Sequence, residues 1–102
     1  KSYEIAKAYY FRSDWKAAVP AFENFVKDFP ESDKLEEVGF LIIKSWYLLA
    51  KNSIDSKKTE RLEKSMESYL KFVDLHPQSS YLQEAEGIYL DCTKLKNQPV
   101  NQ

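Results

Sequence analysis

The sequence predicts an all-α fold: an α-solenoid of about five antiparallel helices, made of two repeats and a C-terminal capping helix. Three observations point there. Only 2 Gly and 4 Pro occur in 102 residues, so the stretches between chain breakers are long. Apolar residues recur at helical spacing through most of those stretches. The chain also repeats itself, with Phe22 to Ser32 superposing on Tyr69 to Ser79 at a constant offset of 47 residues, the separation of Pro30 and Pro77.

The echo extends both ways, pairing Trp15 with Leu62, Ala18 with Ser65, Asp33 with Ser80, Leu35 with Leu82, Glu37 with Glu84 and Val38 with Ala85. A four-helix bundle with an added helix is the competing architecture. Agreement in size and polarity over about 25 residues favours stacked repeats instead.

The elements follow in order. Helix 1 is expected over about 2–12, with Ile5, Ala6 and Tyr9 on its inward face. Asp14 is a candidate N-cap for helix 2, about 15–29, whose stripe is Ala18, Phe22, Phe25, Val26 and Phe29. Pro30 ends it, while Pro20 deletes one internal hydrogen bond and predicts a slight kink or a late start. Asp33 with Glu36 resembles a capping box opening helix 3, and Ser80 with Gln83 repeats it before helix 5, so the two turns should share a geometry. Helix 3, reaching about Lys51, is apolar nearly all round and should be sandwiched between neighbours. Helix 4 is expected over about 59–75 and helix 5 over about 80–95. The boundaries are then 1–32 for repeat 1, 33–79 for repeat 2 with an insertion, 80–96 for the capping helix and 97–102 for a flexible tail. The chain starts at Lys1, without Met and inside a helical pattern, which reads as a fragment or processed product.

Composition excludes several function classes. The 15 basic and 16 acidic residues are interspersed, leaving no basic cluster of the kind nucleic acid requires. The longest apolar run, Phe40 to Ile43, stops at Lys44, so no transmembrane segment is expected. A single cysteine, Cys92, allows neither an intrachain disulfide nor a multi-cysteine metal site. His76 is the only histidine and its repeat counterpart is Phe29, so it reads as a packing residue. Glu36 and Glu37 are adjacent and diverge on a helix, and Gly39 and Gly87 are isolated within helical segments. No catalytic, cofactor-binding or metal-ligating residue is nominated, and the expectation is a non-enzyme that needs no cofactor.

Residues 1–30 resemble a tetratricopeptide repeat, through Ala6, Tyr9, Ala18, Phe22 and the closing Pro30. The second repeat matches with Ile43, Trp46, Ser65, Tyr69 and Pro77, departing by a bulky Ile at the small position and by about ten extra residues, Asn52 to Arg61. A closer resemblance covers nearly the whole chain. Ala8 to Tyr10, Ala17 to Pro20 followed by Phe22 to Pro30, Lys51 to Arg61 and Tyr81 to Tyr89 look like the C-terminal two repeats of the BamD family of Bacteroidetes-type bacteria.

That resemblance implies a non-catalytic scaffold lipoprotein at the periplasmic face of the outer membrane, in the β-barrel protein assembly machinery. Its anchor is a lipidated N-terminal cysteine upstream of these residues, so Cys92 is not the anchor. Its partners are the periplasmic domains of the barrel component, accessory lipoproteins and nascent outer-membrane proteins. The alternatives are a generic tetratricopeptide adaptor that binds peptides or other proteins, or an accessory domain of an enzyme.

The repeat pattern puts function on the inner groove. It nominates Tyr3, Lys7, Tyr10 and Phe11 from helix 1, with Lys44, Tyr47 and Lys51 from helix 3. Such a strip could clamp an acidic, aromatic-rich segment, or the lysine stems could merely lie over apolar helix surface. Tyr10 and Phe11 are expected to be exposed. The insertion is read as a docking loop carrying Lys57, Lys58 and Arg61, with a solvated spacer as the alternative.

Overall fold

The computed structural model describes residues 1–98. They form five α-helices: α1 (Ser2–Phe11), α2 (Trp15–Asp28), α3 (Leu35–Lys51), α4 (Asp55–Leu75) and α5 (Leu82–Lys96). There is no strand among the described residues. Each helix packs on the next, and α3 also packs on α5, giving an elongated body of 46 × 28 × 19 Å. This is the tetratricopeptide-like α-solenoid expected of the sequence. Most of the reading of 97–102 as a tail falls on residues 99–102, outside those described.

One core runs the length of the molecule. Ala6, Ala18, Phe22, Val38, Ile43, Ala50, Ala85 and Cys92 have no exposed surface, and Leu62 and Phe72 almost none. Fully burying an aliphatic or aromatic side chain of this kind stabilises by about 1.5–3 kcal/mol. The centre is α3, which packs against α2, α4 and α5, as its all-round apolarity requires. Where α4 crosses α3, Ser65 sits fully buried at the position Ala18 occupies in α2. Its hydroxyl donates to the Ile43 carbonyl at 2.8 Å, which satisfies a polar atom that would otherwise cost stability. On α1, Ile5 does not face inward as expected: it is half exposed, and Ala6 carries the contact. Successive helix positions point about 100° apart, so with Ala6 facing the neighbouring helix the preceding Ile5 is carried toward solvent.

Asp14 caps α2 through its side chain, which accepts from the Ala17 backbone N–H at 3.3 Å. With its first turn anchored, α2 begins at Trp15 and runs through Pro20, so the late start does not occur.

The two turns that follow the prolines are built alike, but not by the residues the sequence suggested. Asp33 and Ser80 are not caps, since α3 and α5 start without a side-chain cap, at Lys34 and Tyr81. The serine one position earlier does the work. Ser32 Oγ accepts from the Lys34 N–H at 2.9 Å, and Ser79 Oγ from the Tyr81 N–H at 3.0 Å. Before each proline, the backbone N–H of Phe29 or His76 closes the preceding helix onto the carbonyl of Phe25 or Phe72. His76 occupies the slot of Phe29: its ring lies 5.1 Å from Phe72, as Phe29 lies 5.1 Å from Phe25.

The insertion is the largest departure. It is not a loop, because α4 begins at Asp55 rather than near Thr59. The α1–α2 and α3–α4 connections have the same length, 12–14 and 52–54. The extra residues lengthen the helices instead: α3 runs past the equivalent of Phe11 through Leu49, Ala50 and Lys51, and α4 starts seven residues before Leu62, the equivalent of Trp15. Polar composition misleads here because the added turns expose most of their surface, and an Asp at the start followed by Lys, Glu and Arg, all good helix formers, suits an exposed helix as well as a loop. Side chains close the tip. Asn52 Nδ2 donates to the Leu48 carbonyl at 2.8 Å, Ser53 Oγ to the Leu49 carbonyl at 2.6 Å, and Arg61 donates to Ser53 Oγ.

Placing proline at position 59 distinguishes the two readings of this segment. In a helix interior it removes a hydrogen bond and clashes with the preceding turn, so Thr59→Pro should cost about 3 kcal/mol in urea unfolding. A loss under about 0.5 kcal/mol, typical of surface loop substitutions, would return 55–61 to a loop.

Candidate partner-binding site

The nominated residues of α1 and α3 lie on the face formed by α1, α3 and α5, the first helix of each pair and the last helix of the chain. On α1, Lys7 Nζ forms an ion pair with Glu37 of α3 at 2.9 Å and donates to Tyr3 Oη at 3.1 Å. Tyr3 Oη in turn donates to the other Glu37 oxygen. The arrangement recurs one pair of helices further on. Lys44 of α3 pairs with Glu84 of α5 at 3.0 Å, and Tyr47 donates to Asp91. Lys51 lies over the Tyr47 ring, 4.9 Å from its centroid, with Nζ 3.4 Å from the hydroxyl.

The titration behaviour follows from these partners. The hydrogen bond to Glu37, aided by Tyr3, raises the Lys7 ammonium. Burial alone would raise the Glu37 carboxyl, but the hydrogen bonds from Tyr3 and Lys7 outweigh it and hold the group below its usual range. Glu84 likewise raises Lys44. Burial, with Asp91 beside it, pushes the Tyr47 phenol up to about 12, so it stays a neutral donor.

Of the two residues expected to be exposed, one departs from expectation. Tyr10 is half-buried rather than exposed, packed edge-on between Phe11 at 5.5 Å and Phe22 at 6.5 Å. Phe11 is exposed, at 71%. The Lys44–Tyr47–Lys51 strip exists, but its first two members tie α3 to α5, while Lys51 touches only Tyr47 of its own helix and stays exposed.

The α4 residues do not join this strip. Lys57 and Arg61 lie on the opposite side, near Val19, Pro20 and Trp46, and Arg61 also braces the α3–α4 tip. Lys58 is half-buried, four residues before Leu62 on the inward stripe of α4, where its stem extends the apolar face. Cys92 is fully buried, and burial pushes its thiol up, away from the reactive thiolate.

The acids Glu37, Glu84 and Asp91 are the residues that inspection of the sequence missed. The signal was present: Glu37 and Glu84 are repeat equivalents, and so are Lys7 and Lys44. A repeated acid and a repeated base on successive helices specify a repeated ion pair.

With this geometry in place, comparison with known proteins adds one finding. The profile of the YfiO family, described as an outer membrane lipoprotein, matches residues 1–96 and so covers all five helices. No curated protein matches the chain significantly.

The Glu37 cluster gives the face an acid limit. A carboxyl whose folded value lies below 4.5 contributes stability that is present above 4.5 and lost as pH falls through the folded value. Thermal melts should therefore drop more steeply on acidification below 4.5 for the native chain than for Glu37→Gln. Parallel curves for the two would show that Glu37 is not linked to folding.

Proposed function

This chain belongs to the YfiO family of outer membrane lipoproteins, and from that premise we propose that it is a scaffold of the outer-membrane β-barrel protein assembly machinery. On this reading it corresponds to the C-terminal repeats of a BamD of Bacteroidetes type. It acts at the periplasmic face, and a lipidated N-terminus outside these residues supplies the membrane anchor. No helix among the described residues is long and apolar enough to cross a membrane. Residues 1–32 and 33–79 form its two repeats, and 80–96 is the cap that ends them.

The observation that carries the proposal is the family match, which spans the five helices and coincides with the tetratricopeptide-like fold. The docking surface we propose is the α1–α3–α5 face, where Lys7, Tyr10, Phe11, Lys44, Tyr47 and Lys51 meet the periplasmic domains of the barrel component or an accessory lipoprotein. Phe11 is the best anchor among them, because it is aromatic and largely exposed. Lys51 is exposed beside it in chemistry though not in sequence, and it offers a charge to an acidic partner. Lys57, Lys58 and Arg61 form a second, separate basic contact.

Lys44 and Tyr47 are poor choices for a test, since their loss also loosens α3 from α5. Phe11→Ala combined with Lys51→Glu changes only exposed groups. The pair should lower the melting temperature by only a few degrees, since it removes surface contacts alone, and lower capture of the barrel component's periplasmic domains by about tenfold or more. Undiminished capture would move docking off this face. Failure of the unaltered chain to capture any assembly component would favour a generic adaptor.

A further inference from the structure

The side opposite the ion-paired face carries a groove. Helices α2 and α4 both pack on α3 but not substantially on each other, which leaves a channel between them floored by one stripe of α3. The floor consists of Leu35, Gly39, Ile42, Trp46 and Leu49, at alternating spacings of four and three. This is the seam spacing by which one helix receives another. Two hollows lie along it, one of about 460 Å³ at the Leu35 end and one of about 210 Å³ at the Trp46 end. Gly39 sets the depth of the larger: a Cβ there would come within 3.1 Å of the Phe72 ring, so glycine lets that ring approach α3 closely. Leu75 stands at its lip, 70% exposed.

The rim is basic. Lys16 and Lys27 of α2 and Lys57, Arg61 and Lys71 of α4 border the two hollows, against only Glu23 and Glu60. Among the described residues none of these five cations has an ion-pair partner, whereas Lys7 and Lys44 on the other face are each paired. On a chain of net charge −1, this is a local excess of positive charge around an apolar floor.

We propose that this groove is the seat of an acidic amphipathic helix from a partner protein, its apolar stripe on Ile42, Trp46 and Leu75 and its carboxylates on the flanking lysines. A helix fits because the floor is itself a helical ridge between two others, so the occupant completes the packing as a fourth rod. The floor runs along α3 from Leu35 to Leu49, roughly 21 Å, which suits about four turns of helix. The inference deepens the scaffold reading in giving Lys57 and Arg61 an occupant. It rests on this chain's own geometry and needs no assembly component.

The test uses a synthetic helical peptide of about 16 residues with Leu at heptad a and d positions and Glu flanking them, beside a twin in which every Glu is Lys. The Glu peptide should shift the NMR signals of Ile42, Trp46 and Leu75 and leave those of Phe11 and Lys51 unmoved. Its affinity should fall by about tenfold in Lys27→Glu/Lys71→Glu, two exposed changes that keep the fold, and should weaken with added salt. Equal binding of the Lys twin, shifts on the α1–α3–α5 face, or no binding would each overturn the proposal. Because no barrel component is present, such a failure is separate from failure of the capture experiment above.

Discussion

Everything in this molecule depends on keeping α3 out of water. Its apolar residues point in nearly every direction, so no single neighbour can cover it, and a lone pair of helices would leave much of it wet. The chain solves this by placing α2 and α4 on two flanks and bringing α5 back onto a third. The small residues follow from that crowding. Ala18 and Ser65 sit where a second helix presses on a first, and Ser65 adds a hydrogen bond that ties the crossing to one register. Larger side chains at either place would push a neighbour away from α3 and uncover what it hides.

With the core set by α3, polar contacts decide which faces remain available. The α1–α3–α5 face neutralises much of its own charge, Lys7 and Lys44 each finding a glutamate on the next helix along. Ion pairs of this kind, roughly a quarter to a half exposed, add little to stability, and their main effect is to fix the helices side by side. A ligand for that face must compete with contacts already made, except at Phe11 and Lys51. Across the body, the α2–α4 groove has the reverse character, with an apolar floor and cations that pair with no carboxylate among the described residues. The two sides therefore differ in kind: one is finished and the other is open.

Much of this was legible from residue pattern alone. The 47-residue echo located the helices, the paired turns and the packing role of His76, because equivalent residues meet equivalent neighbours in a stacked array. Helix ends were harder to read. Asp33 and Ser80 look like caps, yet Ser32 and Ser79 hold the turns, since a cap depends on backbone angles that residue type only suggests. The segment from Asn52 to Arg61 misled for a different reason. Its polarity reports exposure, and exposure is shared by loops and by the outer turns of a protruding helix pair. The binding residues were read from one helix at a time, so their partners Glu37, Glu84 and Asp91, which lie about 30 to 44 residues away, stayed out of view.

The lengthened α3–α4 pair also bears on how a stacked array holds its cargo. An array of equal repeats looks the same after a shift of one unit, so an extended partner could slide along it and bind out of step. Here one pair stands taller: three residues added at the end of α3 and seven at the start of α4 raise its tip by roughly 5 to 10 Å, with the exposed Ile54 in the connection. That projection breaks the sameness of the units and gives the array a landmark. A partner that met this tip would have one seating rather than several, as a key with a shoulder stops at one depth.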